Sequence, residues 1–332
     1  MLTLVVVIIF MALLFDFLNG MNDAANSIAT IVSTQVLSPR AAVLWAAFFN
    51  FIAAFGFGVH VATTIGKGIV DVRIVNEYLV LSGLVGAIIW THLCTQIGLP
   101  ISVSHSLIGG IAGAGVARAG FEALVPSGIT KVVIFIFLSP LLGMLLAFIF
   151  MVGVTWLVRN SSPHKVDRAF RVGQLISSAA YSLGHGTNDA QKTMGIIALV
   201  LFSSGYLGET FYVPTWVILS AHAAIGLGTY LGGWRVVRTM GMRLTHLRPI
   251  GGFCAETAGA SLLFGTALAG IPVSTTHTIA GAIMGVGATR RISAVRWGVA
   301  GRIIWAWVLT IPATAIVAAV TYWTIEVVQR LL

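Results

Sequence analysis

Long apolar runs follow one another almost without pause from the first residues to the last, and they constrain this chain more than any other feature. Uninterrupted apolar stretches of roughly 18 or more residues cross a bilayer as helices. A closed β-barrel would instead show segments of about ten residues with alternating polarity. The run from Lys131 to Val158 does not alternate, so an all-α polytopic membrane protein is expected. The overall balance agrees. Of 332 residues 58% are hydrophobic and 9% charged, against about 25% charged in an ordinary soluble domain. The segment after Met1 carries no basic residue before Arg40, so it reads as a retained first membrane helix rather than a signal peptide. Cys94 and Cys254 lie in apolar surroundings, and neither a disulfide framework nor a redox role is expected of them.

The formal net charge of +9 raises the question of nucleic acid, and its placement argues against it. The basic residues gather as Arg159, Lys165, Arg168 and Arg171, then Arg235, Arg238, Arg243 and Arg248, then Arg290, Arg291, Arg296 and Arg302. Clusters at span ends mark the cytoplasmic side of a membrane protein. The expected spans are 3–35, 42–61, 79–97, 101–118 and 130–158. After the basic centre come 172–205, 214–233, 251–270, 273–288 and 297–320. The long elements 3–35 and 172–205 are each expected to break near the middle. The pairs 79–118 and 251–288 read either as two crossings or as re-entrant hairpins, and the count is about 10–12 helices. With the basic clusters inside, the N-terminus lies outside and the second half starts inside, so the halves have opposite topology. The expected division is 1–158, a short cytoplasmic linker 159–171, and 172–332.

An internal repeat supports that division. Gly20-Met21-Asn22-Asp23-Ala24 returns as Gly186-Thr187-Asn188-Asp189-Ala190, and Pro100-Ile101-Ser102-Val103-Ser104-His105-Ser106 returns as Pro272-Val273-Ser274-Thr275-Thr276-His277-Thr278. Between them Thr64 and Gly66 are echoed by Thr239 and Gly241. The offsets are 166, 172 and 175 residues, in the same order along both copies. Inverted repeats with interrupted helices in matching positions are the mark of a secondary transporter, with its site near the midplane between the repeats.

Ionisable residues inside apolar spans are expensive and usually functional. Asp16, Asp23, Asp189 and Glu256 qualify, and the repeat singles out Asp23 and Asp189. Each follows a glycine-containing stretch where the backbone is expected to leave helical geometry, freeing carbonyls that join carboxylate and amide oxygens around a small cation. Asn22 and Asn26, four apart, share a helix face, as do Asn188 and Gln191, three apart. The bland alternative is that these side chains cap broken helices. In the second motif the proline marks a helix start, followed by hydroxyls and unpaired first-turn N–H groups. That suits an oxyanion, held by neutral donors and the positive end of the helix dipole. The candidates are Ser102, Ser104, Ser106, Ser274, Thr275 and Thr276. Here the bland alternative is back-bonding within a helix.

His105 and His277 have no metal-ligand companions at suitable spacing and read first as packing or hydrogen-bonding residues, with proton coupling as the second reading. His185, beside Gly186, divides the same way. His92 and His222 read as interior hydrogen bonders, and Asp16 leans structural. Lys192 pairs with a carboxylate or attracts an anion, and Glu256 is evenly divided between structure and function. No nucleotide-binding fingerprint is present. Uphill transport would therefore draw on an ion gradient.

Asn22-Asp23-Ala24-Ala25-Asn26, Gly186-Thr187-Asn188-Asp189-Ala190-Gln191-Lys192 and the two Pro-x-Ser-x-Ser/Thr-His segments resemble the inorganic phosphate transporter family, the sodium- or proton-coupled phosphate permeases. Gly232-Gly233-Trp234-Arg235 with Thr239-Met240-Gly241 resembles it too. The resemblance implies an inverted-repeat permease of the cell membrane, often a homodimer, carrying phosphate with sodium or protons and needing no bound cofactor. It implies phosphate ligands at Ser102, Ser104, Ser274, Thr275 and Thr276, with Asn22, Asp23, Asn188, Asp189 and Gln191 beside them. The cation falls to Asn22, Asp23, Asn26, Asn188 and Asp189, with Asp23 and Asp189 as sodium ligands if sodium is the coupling ion. Many relatives carry a long central insert that this chain replaces with the short basic stretch. Another oxyanion such as sulfate, an anion channel and a membrane enzyme are the rival readings, the last lacking a nucleophile, base or metal cluster.

Overall fold

Each helix begins and ends where local chemistry asks it to. The computed structural model describes residues 2–56 and 58–331, and its regular structure is helical, twelve α-helices with a few single 3-10 turns. α1 is Leu2–Ser33, α2 Pro39–Ile52, α3 His60–Gly68, α4 Glu77–Ile97, α5 Val103–Ala119 and α6 Pro126–Leu157. The second series is α7 Pro163–Ser203, α8 Thr215–Leu231, α9 Trp234–Met242, α10 Pro249–Leu268, α11 Thr275–Ala288 and α12 Trp297–Leu331. Prolines open α2, α6, α7 and α10, where the missing N–H costs nothing. Asn76 caps α4 by accepting from Leu79 N, and Gly98 ends that helix in a left-handed conformation with φ 73°.

The fold is the expected all-α polytopic one. Among the described residues four helices, α1, α4, α6 and α12, are long and apolar enough to cross a membrane. The other expected crossings are shorter, bent, or polar inside. α11 has 14 residues, a length of about 21 Å, which is short of the roughly 30 Å hydrocarbon core. It forms one arm of a hairpin with α10, as α5 does with α4.

The expected breaks within 3–35 and 172–205 are absent. α1 runs unbroken through Gly20 and α7 through Gly186. The glycines serve close helix approach instead. A Cβ at Gly20 would sit 2.2 Å from the Ile225 carbonyl oxygen of α8, and one at Gly186 would sit 2.6 Å from that of Asn50 in α2. The carbonyls near Asp23 and Asp189 therefore stay in their helices. The chain breaks elsewhere, between α2 and α3 and at Gly232-Gly233 between α8 and α9. Gly232 takes φ +66° at the second of these.

The two series of helices pack into each other reciprocally. α1 lies against α8 and α9, and α7 against α2 and α3. α5 packs on α12, and α11 on α6. The last two contacts are built alike. Gly281 and Gly285 of α11 meet the Pro140 and Met144 carbonyls of α6, while Gly109 and Gly113 of α5 meet Ile311 and Ala315 of α12. Pro140 and Pro312 lie at equivalent places inside α6 and α12. These contacts bring both hairpin turns to the middle of α1 and α7.

A Cβ at Gly281 would lie 2.1 Å from the Pro140 oxygen. Gly281→Leu is therefore expected to lose about 3 kcal/mol of stability through overpacking. At Gly301 a Cβ meets nothing within 4 Å, and Gly301→Leu is expected to stay within about 0.5 kcal/mol. Thermal unfolding of the two variants in detergent separates these outcomes.

Candidate functional site

Asp23 in α1 and Asp189 in α7 are fully buried and converge on the first residues of α11. The Thr275 hydroxyl lies 3.0 Å from Asp189 Oδ2 and 3.4 Å from Asp23 Oδ2, so one proton faces two carboxylates. Thr276 donates to Asp23 Oδ1 at 3.3 Å. Asn26, one turn beyond Asp23, donates to Thr276 Oγ1 at 2.9 Å. Two close carboxylates cannot both stay ionised in a buried place without nearby positive charge.

An ammonium and an imidazole face them from α7 itself. Lys192 Nζ lies 2.5 Å from Asp189 Oδ1 and donates to the Val273 carbonyl at 2.9 Å and to the Ser104 hydroxyl. It thereby ties both hairpin turns to α7. His185, one turn before Asp189, puts Nε2 3.2 Å from Asp189 Oδ2 and 4.0 Å from Asp23 Oδ2. Its Nδ1 faces Asn50 Oδ1 at 3.1 Å, and Asn50 Nδ2 donates to Thr229. Ligand atoms of Asp23, His185 and Asp189 all lie within 4.8 Å of one another, a spacing that fits one cation.

Of the residues picked from sequence, Asp23, Asn26, Ser104, Asp189, Thr275 and Thr276 meet in this cluster. Ser102 and Ser274 stand one step away as N-caps, accepting from the His105 and His277 amides at 3.3 and 3.2 Å. They hold open the first turns of α5 and α11, whose amide ends suit an anion. Asn22, Asn188 and Gln191 bond outward. Asn22 donates to Thr95 at 2.8 Å, Asn188 to the Leu263 and Gly184 carbonyls, and Gln191 accepts from the Val61 and Ala62 amides of α3. Asn22 Oδ1, Asn26 Oδ1, Asn188 Oδ1 and Gln191 Nε2 are buried and have no hydrogen-bond partner among the described residues.

His185 and Lys192 are more central than their sequence reading made them. The available signal was spacing: four before and three after Asp189, both on its helix face. Asn50 and Tyr181, whose hydroxyl donates to the Thr275 carbonyl at 3.0 Å, carried no such signal. His105 and His277 follow their packing reading, ring edge to ring face at 4.7 Å, with His277 stacked on Trp307 at 3.7 Å. Glu256 makes a separate buried node, accepting from Thr30 at 2.6 Å, Ser177 at 2.5 Å and Gln174 at 3.0 Å. These three neutral donors join α1, α7 and α10.

Removing one of those donors leaves a buried carboxylate oxygen under-satisfied. Thr30→Val and Ser177→Ala are each expected to cost about 1–3 kcal/mol, read as lowered thermal stability in detergent.

The comparisons with known proteins agree over nearly the full length. The sequence profile described as "Phosphate transporter family" matches residues 19–166 and 159–318. A Rhizobium meliloti (strain 1021) protein named "Probable low-affinity inorganic phosphate transporter" is 57% identical over 325 residues, covering 98% of this chain and 97% of its own length. A Bacillus subtilis (strain 168) protein of the same name is 41% identical, covering 99% of each chain. A solved structure titled "The sodium-dependent phosphate transporter" superposes with a TM-score of 0.88 at 28% identity, covering 98% of this chain and 99% of that one. With both copies of its repeat inside the matched region, this chain belongs to the phosphate transporter family.

Proposed function

We propose that the protein is a secondary transporter that carries inorganic phosphate across a membrane together with a cation, by alternating access. The observation that carries this reading is the buried meeting of Asp23 and Asp189 with the first turns of α5 and α11, in a chain whose full-length relatives bear phosphate-transporter names. Cation binding at the carboxylates offsets their charge and makes an anion tolerable beside them. Hydroxyls and first-turn amides then hold phosphate with neutral donors, which lets it leave again. No nucleotide-binding motif exists to supply energy, so the gradient of the coupled cation does.

In this reading the protein acts on phosphate and either sodium or protons, within the lipid bilayer, as a homodimer. Asn22, Asp23, Asn26, Asn188 and Asp189 serve the cation. Ser102, Ser104, Ser274, Thr275 and Thr276 serve phosphate, assisted by Asn22, Asp23, Asn188, Asp189 and Gln191. The inverted halves 1–158 and 172–332 alternate in exposing the site, with the N-terminus outside and the basic segment 159–171 in the cytoplasm.

Radiolabelled phosphate uptake into proteoliposomes tests the proposal, with an inward sodium gradient and an inward proton gradient in separate runs. Accumulation under one gradient, competed by arsenate and not by sulfate, is the expected result and names the coupling ion. Competition by sulfate alone would reassign the substrate to another oxyanion. Asp23→Asn should insert and fold yet lose coupled uptake by roughly two orders of magnitude, the scale on which losing a supporting ligand acts. Wild-type uptake by that variant would remove Asp23 from the site.

A further inference from the structure

Lys192 and Asn26 occupy the same place in the two copies of the repeat. The offset of 166 residues that carries Asp23 onto Asp189 also carries Asn26 onto Lys192. The offset of 172 that carries Ser102 onto Ser274 carries Ser104 onto Thr276. Their contacts correspond as well: Asn26 Nδ2 donates to Thr276 Oγ1 at 2.9 Å, and the Lys192 ammonium donates to Ser104 Oγ. One copy therefore presents a neutral amide with an unpaired, buried Oδ1, and the other a fixed positive charge.

That charge sits where a small hard cation would. Its neighbours are a carboxylate oxygen of Asp189 at 2.5 Å, the backbone carbonyl oxygen of Val273 at 2.9 Å and the Ser104 hydroxyl oxygen. Carboxylate, carbonyl and hydroxyl oxygens are what hard cations take as ligands. An ammonium has three protons and no acceptor, and these three oxygens use all of them. In this conformation Lys192 has no donor left for an anionic substrate, so it acts as a counter-charge. The Asp23 side differs. Among the described residues its carboxylate faces Asp189, the two threonine hydroxyls at 3.3 and 3.4 Å and His185 at 4.0 Å, with no ammonium beside it. Asn22 Oδ1 and Asn26 Oδ1 are also without a protein partner there, among the described residues.

We infer that Lys192 is a tethered cation: its ammonium permanently fills one of two repeat-related cation positions, leaving only the position at Asp23 and Asn26 for a mobile cation that travels with the substrate. The inference rests on the cation-coupled phosphate reading of this site and sets how many cations that coupling takes. Two carboxylates bring two negative charges; the ammonium offsets one and, with the His185 imidazole beside them neutral, a single mobile cation offsets the other. With an amide at position 192, as at position 26, a second mobile cation has to supply the missing charge, because an uncompensated buried carboxylate is strongly disfavoured.

Initial rates of phosphate uptake into proteoliposomes, measured against sodium concentration for the wild type, Lys192→Asn and Lys192→Met, test this. Lys192→Asn is expected to lose about tenfold or more of its uptake at low sodium. It should regain it as sodium rises, with an apparent order in sodium one higher than the wild type's. Lys192→Met, with neither charge nor oxygen, is expected to stay inactive at all sodium concentrations. Wild-type rate and order in Lys192→Asn overturn the inference, as does a folded Lys192→Asn that sodium does not rescue. The wild type alone supplies a check that needs no variant to fold: one driving cation per phosphate is expected, and two or more overturn it. Absence of wild-type uptake under either gradient removes the transport reading itself, whereas wild-type uptake with an unchanged sodium response in Lys192→Asn removes only the tethered cation.

Discussion

The structure depends on compensating two carboxylates that have been taken out of water. Asp23 and Asp189 are worth burying only if positive charge and hydroxyl protons surround them, and the fold collects these from distant parts of the chain. α7 contributes His185 and Lys192, α11 contributes Thr275 and Thr276, and α5 contributes Ser104. For these groups to meet, α1 and α7 have to pass close to α8 and α2, and Gly20 and Gly186 remove the side chains that would keep them apart. The electrostatics of the centre and the sterics of the helix crossings are thus one design problem.

The same accounting explains why the hairpin turns are rich in small hydroxyl residues. A helix that starts inside a membrane leaves its first N–H groups without partners, and hydrocarbon cannot supply any. Ser102 and Ser274 satisfy one such amide each. The first turns of α5 and α11 lie beside the carboxylate cluster, through Ser104 on Lys192 and Thr275 on Asp189. Lys192 binds to both turns at once, through Ser104 and Val273, so the charge that neutralises Asp189 also holds the two hairpins in register.

Much of this was legible in the sequence. The membrane class followed from apolar runs, and the pairing of Asp23 with Asp189 followed from the repeat, because a duplicated carboxylate in a hydrophobic context has few structural uses. The placement of the breaks was not legible. Glycine next to a buried polar residue permits a break and permits a close crossing equally, and only the partner helix, Ile225 over Gly20 or Asn50 over Gly186, decides between them. Long-range partners such as Thr95 for Asn22, or the α3 amides for Gln191, depend on tertiary packing that spacing does not encode. Asn50 and Tyr181 were invisible for the same reason: each looks like an ordinary residue of an apolar helix until its neighbour is known.

The reciprocal packing of the hairpins has a consequence for how the chain is made. α5 finds its partner in α12, far later in the chain, while α6 awaits α11. The glycine face of α5 that fits against Ile311 and Ala315 therefore emerges with nothing to cover it. Its hairpin has to be kept from wrong partners until α12 has been translated. Contacts this far apart in sequence make assembly slow and order-dependent. α12 works as a clasp: until it arrives, one of the two hairpin turns that frame the carboxylates has no backing.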